Sequence, residues 1–237
     1  MSISPKHDEP TGGATLIRED HQGVTTLRLN RPLQLNALSE AMLAAMQREL
    51  DSLMADAAFC AGHDLLEMRG DRRLGYYQAL FSRCSQLMQS LQALPVPIIA
   101  RVHGIATAAG CQLVGACDLA IAADSARFAV SGINVGLFCA TPSVALSRNI
   151  ATKRAFDLLV TGRFIDAATA VDWGLINAAV PESELDAAIA RKTAEIASKS
   201  PAAIRYGKSL FYRQQQLPPA GIDDVQVVQQ VRQAFLH

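Results

Sequence analysis

Two short stretches combine small and polar residues in a way that suits the binding of a developing negative charge. In PVPIIARVHGIATAAGCQLVGACDLA (95–120) an apolar run leads into Gly104, then Ala106, Ala108, Ala109 and Gly110, and then into a helical pattern. Small residues at a strand-to-helix turn let a ligand approach the main chain. The first helical turn also has N–H groups without intrahelical acceptors, at the positive end of the helix dipole. Such a place can stabilise an oxyanion. The same residues equally suit tight strand–helix packing with no ligand. The dinucleotide fingerprint GxGxxG is absent. In AAFCAGHDLLEM (57–68) a second small-residue turn, Ala61-Gly62, precedes His63 and Asp64. One N–H from each turn would make a two-donor hole, although small residues beside an aspartate also form ordinary turns.

Other chemistry has less support. The five cysteines, Cys60, Cys84, Cys111, Cys117 and Cys139, contain no CxxC pair. They read as small buried hydrophobes in a reducing compartment and not as zinc ligands, and a cytoplasmic address is expected. No serine is presented on a nucleophile elbow, so a Ser-His-Asp hydrolase lacks its nucleophile.

The elements that must position these stretches can be read from periodicity. Residues 14–31 predict a strand, a turn at Gly23 and a second strand closed by Pro32. Met42, Leu43, Met46, Leu50, Leu53 and Met54 recur at helical spacing and predict a helix from Ser39 to about Asp56. A second helix is predicted over 73–93, stopped by Pro95 and Pro97. PIIARV (97–102) predicts a buried strand, and LAIAA (119–123) and ARFAV (126–130) predict further short ones. Thr141-Pro142 reads as a capped helix start, and Ser183 with Asp186 as a capping-box-like one. Strands come early, alternate with helices in the middle and give way to helices late, which argues for an α/β core.

Composition sets the bounds. With 237 residues, 50% of them hydrophobic, the chain can bury a sizeable core. Twenty-two basic residues balance 22 acidic ones, so electrostatics favours neither nucleic acid nor an anionic membrane. No apolar run approaches the roughly 20 residues that span a bilayer. The opening MSISPKHDEPTGG is polar and reads as a disordered tail, without the greasy middle of a secretory signal or the arginine-rich, acid-poor make-up of a transit peptide.

Five segments, LNRPLQLNALS (29–39), FCAGHDL (59–65), VHGIATAAGCQLVGACDLAIAADSARFA (102–129), GLFCATPSVALSR (136–148) and TGRFIDAATAVDWGLINAAVP (161–181), occur in an order that resembles the crotonase, or enoyl-CoA hydratase/isomerase, superfamily. The resemblance covers most of residues 14–212. It implies an α/β fold, the ClpP/crotonase-like spiral of ββα units with a helical C-terminal region. The division would be a tail at 1–13, a spiral core at 14–200 and a C-terminal helical segment at 201–237. It further implies a homotrimer or a dimer of trimers and an acyl-CoA small-molecule substrate. Coenzyme A would be part of that substrate, with no separate cofactor, no metal, and neither a nucleic-acid nor a membrane partner.

Position by position, the resemblance implies an oxyanion hole from the main-chain N–H groups of His63 and Ala109. Leu33, Leu35, Ala61, Asp64 and Leu65 match positions along the CoA and pantetheine path. Ala108 flanks the hole. The His63 side chain is either a turn residue that lends only its amide, or an acid/base or hydrogen-bonding group facing the acyl pocket. Hydratase members carry two glutamates that hold a water as general base and general acid. Here those positions are Gln112 and Gly132. An amide takes no proton at neutral pH and glycine has no side chain, so hydration by the usual route is not expected. Gln112 can still hydrogen-bond a water or a carbonyl, or merely satisfy local backbone, and Ser131 could bind substrate.

Two further departures stand out. Family members place a strand of about 5–6 residues between the segments matching LMADA (53–57) and FCAG (59–62), and this sequence leaves it no room. No basic residue follows Phe235, where members usually place CoA-contacting ones. The reading is therefore an acyl-CoA-binding protein of the lyase or isomerase kind that polarises a thioester carbonyl. The alternative is a non-catalytic acyl-CoA-binding or regulatory subunit.

Overall fold

The computed structural model describes residues 14–21, 24–53 and 63–215. The expected tail at 1–13, Ala61, the site of the absent strand before Phe59, and the chain beyond 215 lie outside the described residues. The chain opens with an antiparallel pair, β1 (Leu16–His21) and β2 (Val24–Leu29), in the register Leu16↔Leu29 to His21↔Val24. A 3-10 turn at Pro32–Gln34 leads to α1 (Glu40–Leu53), and α2 (Leu65–Gly70) precedes the long α3 (Leu74–Ala93). The helical spacing of Leu80, Phe81, Cys84, Leu87, Met88 and Leu91 predicts the core-facing stripe of α3, and all of these face the core except Phe81, which is 38% exposed.

Next come two repeats of one plan. Strand β3 (Ile99–Val102) is followed by β4 (Ile105–Thr107) and α4 (Ala109–Ala116). Strand β5 (Leu119–Ala123) is followed by β6 (Arg127–Ala129) and, after a 3-10 turn at Ser131–Val135, by α5 (Ala140–Asn149). The repeats stack in parallel, β3 on β5 (Ile99↔Leu119) and β4 on β6 (Ile105↔Arg127). Each turn of the chain thus gives one strand to each of two sheets, which is the expected ββα spiral. After α6 (Thr152–Thr161), the short β7 (Ile165–Asp166) closes one sheet antiparallel to β6. After α7 (Ala167–Trp173), β8 (Ala178–Val180) joins the other, parallel to β5. Helices α8 (Leu185–Ala197) and α9 (Pro201–Gln214) complete the described chain.

Helix α4 lies at the centre, with all eight residues buried. Its small side chains allow α5 to pack close. A Cβ on Gly115 would stand 3.3 Å from the Ala145 Cβ and 3.3 Å from the Asn149 Nδ2. That Nδ2 donates to the Gly115 carbonyl at 2.9 Å. Cys84, Cys111, Cys117 and Cys139 are buried free thiols, and Cys60 lies outside the described residues.

Two predicted helix starts differ from the structure. Thr141 does not cap α5: the helix begins at Ala140 with Cys139 at the cap, and the threonine hydroxyl inside the first turn is used elsewhere. Ser183 and Asp186 form no capping box, because a 3-10 turn at Glu182–Glu184 runs straight into α8 and the Glu184 amide donates to the Pro181 carbonyl.

A buried ionic knot ties α9 to the core. The Lys208 Nζ donates to Asp118 Oδ2 at 2.6 Å and to the carbonyls of Leu91 and Val96 at 2.9 Å each. The Tyr212 hydroxyl donates to the other Asp118 oxygen at 2.7 Å, and the Ile98 amide donates to Asp118 Oδ2 at 2.6 Å. Burial and the neighbouring carboxylate push the Tyr212 hydroxyl well above its usual pKa, so it stays a donor. Removing one partner of a buried pair strands the other charge, at a cost of about 3–5 kcal/mol. Asp118→Ala should therefore lower Tm by roughly 10 °C, by the usual scaling for a chain of this size. A change of only a degree or two in a thermal melt would show that the knot is not anchoring α9.

Candidate active site

Strand β4 ends at Thr107, and the chain must turn sharply to start α4. The turn falls on Ala108, which adopts φ 50° and ψ −120°, a left-handed conformation that costs a residue with a side chain on the order of 1–3 kcal/mol. Its amide donates to the Ala129 carbonyl at 3.1 Å, fixing the junction against β6, and its carbonyl accepts the Gln112 amide at 3.1 Å. Ala109 is the first helical residue and is 2% exposed. Its N–H, in the first turn, has no intrahelical acceptor. The positive end of the α4 dipole therefore emerges from a packed corner.

His63 pairs in parallel with Leu38 as an isolated bridge. The Asp64 amide donates to the Leu38 carbonyl at 3.4 Å. Successive N–H groups in extended chain point to opposite sides, so the His63 amide faces away from Leu38. Carboxylates hold this segment in place. Asp64 caps α2 by accepting from the amides of Leu66 (3.0 Å) and Glu67 (3.2 Å), and it meets Arg31 Nη2 at 3.4 Å. Glu67 accepts the Glu40 amide at the start of α1 at 3.0 Å. Asp64 is thus committed to capping and to Arg31, which leaves it poorly placed to act as a base.

The His63 ring is inaccessible to solvent at both nitrogens, and neither has a hydrogen-bond partner among the described residues. It stands edge-on to Phe81, centroids 5.2 Å apart. Burial pushes its pKa below the ordinary 6.5, opposed only weakly by the Leu38 backbone, which approaches without hydrogen-bond geometry. The loop before α1 is also held firmly: the Arg31 amide donates to Asn36 Oδ1 at 2.9 Å, and Arg31 Nη1 to the Ala37 carbonyl at 3.1 Å. This loop presents Leu33 (88% exposed) and Leu35 (77%) to solvent, and Leu65 is also exposed.

Gln112, one turn into α4, is 6% exposed, and its Oε1 accepts from the Thr141 hydroxyl at 3.1 Å. This is where the Thr141 hydroxyl is used. A Cβ on Gly132 would lie 2.6 Å from the Leu137 carbonyl oxygen and 2.7 Å from Cys139 Sγ. The space for a longer side chain is already filled, in part by backbone. Ser131 and Thr107 share a hydrogen bond of 2.7 Å between their hydroxyls. Burial pushes the Cys111 thiol up to about 12 and also raises that of Cys139, so neither is a ready thiolate. Among the described residues no group of three or more His, Cys, Asp or Glu is placed to hold a metal.

The structure therefore brings Thr107, Ala108, Ala109, Gln112, Ser131, Gly132, Cys139 and Thr141 to one corner, where β4, α4, the 131–135 turn and α5 meet. His63, Asp64, Leu33, Leu35 and Leu65 belong to the loop before α1 and to the start of α2. Sequence reasoning missed the Thr141–Gln112 pair and the sulfur filling the Gly132 space. It also missed the Lys208 knot, although a lone lysine among Ile204, Phe211 and Tyr212 at helical spacing is a readable sign of a buried partner. Because the folded pKa of His63 lies below its unfolded value, the unfolded chain binds its proton first as pH falls. Stability should decline from about pH 6.5 downward until the folded ring titrates, by at most about 1.4 kcal/mol per pH unit. His63→Phe should flatten that decline in urea titrations compared between pH 7.5 and 5.5, and parallel profiles for the two proteins would refute the assignment.

Comparison with known proteins fits this architecture. The sequence profile for "Enoyl-CoA hydratase/isomerase" matches residues 19–236. The enoyl-CoA hydratase domain-containing protein 3, mitochondrial, of Xenopus laevis is 41% identical over 212 residues, covering 84% of this chain and 72% of that protein. The human protein of the same name is 42% identical over 204 residues, covering 81% and 67%. A crystal structure of an enoyl-CoA hydratase from Mycobacterium smegmatis superimposes with a TM-score of 0.84 at 52% identity, covering 86% of this chain and 85% of that one. The human domain-containing protein 3 structure superimposes with 0.82 at 37% identity, covering 94% and 90%. The cytoplasmic expectation is corrected by these relatives: five of them, from Xenopus laevis, rat, mouse, human and zebrafish, are named mitochondrial. Buried free thiols separate reducing from oxidising compartments and do not tell one reducing compartment from another. On the profile match and on these identities, the chain belongs to the enoyl-CoA hydratase/isomerase family.

Proposed function

We propose that the chain binds an acyl-CoA thioester and polarises its carbonyl with the main-chain N–H groups of His63 and Ala109, without carrying out carboxylate-catalysed hydration. The observation that carries this reading is the neutral corner beside Ala109. Gln112 is an amide whose oxygen accepts the Thr141 hydroxyl, and the space above Gly132 is occupied by a carbonyl and a sulfur. Two N–H donors aimed at one oxygen stabilise the charge that grows on a thioester oxygen as its α-carbon gives up a proton. The amide at the head of α4 and the His63 amide, which points away from Leu38, are the candidate donors. The exposed Leu33, Leu35 and Leu65 offer an apolar path for pantetheine, to which Ala61 and the Ala108 turn are further candidates. Coenzyme A enters as part of the substrate, and the family resemblance supports a homotrimer or dimer of trimers.

A second reading, a non-catalytic acyl-CoA-binding or regulatory subunit, is favoured by the same corner, since no ionisable side chain there can move a proton. Turnover separates the two. Each missing acid/base group typically removes 10²–10⁴-fold of rate. Crotonyl-CoA hydration, followed by loss of the conjugated thioester absorbance, should then run at least about 10⁴-fold below that of a hydratase with both glutamates. Efficient hydration would overturn the reading. Binding to the hole is tested from the ligand side: butyryl-CoA should bind about tenfold more tightly than its S-butyl thioether analogue, which lacks the carbonyl, since two hydrogen bonds are at stake. Equal affinities by calorimetry would remove the hole.

The filled space at residue 132 makes its own prediction. Gly132→Ala should cost roughly 1–3 kcal/mol in denaturant unfolding through overpacking. The pair Gln112→Glu with Gly132→Glu should still fail to hydrate crotonyl-CoA, because the Leu137 carbonyl cannot be trimmed away. Hydration recovered by that pair, in a protein as stable as the wild type, would contradict the packing described here.

A further inference from the structure

A cavity of about 730 Å³ runs along α4 between α3, α5 and α9. Gln112 forms part of its wall, one helical turn from Ala109. For an acyl chain the lining has an unusual character. Gln89, Gln92, Gln112, Thr141, Arg148 and Asn149 line it beside the apolar Met88, Val144 and Phe211, with the Asn149 amide nitrogen held by the Gly115 and Ala145 carbonyls and the Gln112 oxygen by Thr141. Asp118, also in the wall, is already held by Lys208, Tyr212 and the Ile98 amide. Arg148 has no carboxylate partner among the described residues, and no lysine or histidine lines the cavity.

A hydrocarbon chain laid along this wall would strip water from the Gln89 and Gln92 amides and the Arg148 guanidinium and return no hydrogen bonds, which disfavours it. A carboxylate at the far end of the acyl group would instead receive a charge-assisted, fork-shaped contact from Arg148 and further donors from the glutamine amides. The volume lies within the ordinary range for a small-molecule site. We propose that the acyl group this chain accepts ends in a carboxylate, a short dicarboxylic acyl-CoA, with Arg148 as the residue that selects it. The proposal rests on the acyl-CoA reading above and adds the class of acyl group.

Arg148 sits in the last turn of α5, where a cation also complements the helix dipole. A guanidinium serving only that end would be indifferent to the acyl group, so the test compares two ligands of equal length. The full chain should bind glutaryl-CoA more tightly than pentanoyl-CoA in isothermal titration calorimetry. Arg148→Gln should weaken glutaryl-CoA about tenfold or more while leaving pentanoyl-CoA within about twofold, and Arg148→Lys should restore much of the preference. A thermal melt of each variant matching that of the wild type shows that the fold is intact. Equal wild-type affinity for the two ligands, or equal weakening of both by Arg148→Gln, would overturn the carboxylate preference and leave the acyl-CoA reading standing. Failure of the wild type to bind either thioester would take that reading down as well.

Discussion

The hydrogen bond from the Ala108 amide to the Ala129 carbonyl is the constraint on which the candidate site depends. It joins the end of β4 to the end of β6, so the corner where α4 begins is set by the stacking of one spiral turn on the next. A left-handed alanine is costly and persists only where its surroundings over-determine it. Here β4 pairs with β6 on one side, and the fully buried α4 fixes the direction on the other. The strain is what lets a strand become a helix within one residue and leaves the first helical amide without an intrahelical acceptor. A looser turn would spread that change over several residues, and the amide would lose its fixed aim.

Beside that amide the side chains are neutral, and packing keeps them so. Gln112 and Thr141 satisfy each other across α4 and α5, at a corner whose closeness is fixed by Gly115 against Ala145 and Asn149. The turn at 131–135 brings the Leu137 carbonyl and the Cys139 sulfur up to Gly132. At residue 132 a carboxylate would need room, and the Leu137 carbonyl and the Cys139 sulfur leave it none. The neutral character is thus distributed over α4, α5 and the turn between β6 and α5, and is not confined to two replaced residues. Such a corner is suited to holding an oxygen that is becoming negative, since nothing anionic competes for the N–H donors.

Much of the architecture could be read from the residues. LAIAA (119–123) coincides with β5, the 73–93 pattern with α3, and the small-residue run at 104–110 with the β4–α4 turn, because in each case local periodicity and burial agree. The two helix starts were misread for one physical reason: a hydroxyl or carboxylate suited to capping can be claimed by a tertiary partner or pre-empted by a 3-10 turn. Thr141 shows the first, with Gln112 29 residues away, and Ser183 the second. The order of motifs located the corner, yet what fills the space above Gly132 depends on how the chain returns through Leu137 and Cys139, which spacing alone does not encode. Compartment was not legible at all, since the same buried thiols serve any reducing environment.

Helix α4 is held at both ends by contacts of different kinds, and this bears on how a ligand would be received. At its head the Ala108–Ala129 bond and the left-handed turn fix the axis. Just past its foot Asp118 takes the Ile98 amide, Lys208 and Tyr212, tying helix, strand and α9 together. With both ends pinned and α5 pressed against Gly115, the helix has no free direction in which to slide when charge appears at its first turn. Donors fixed in this way would need no reorganisation to meet such a charge, which is what makes preorganised main-chain amides effective. The same pinning makes α9 a fixed wall of the 730 Å³ cavity, so a ligand entering it would meet side chains carried on helices that are held in place.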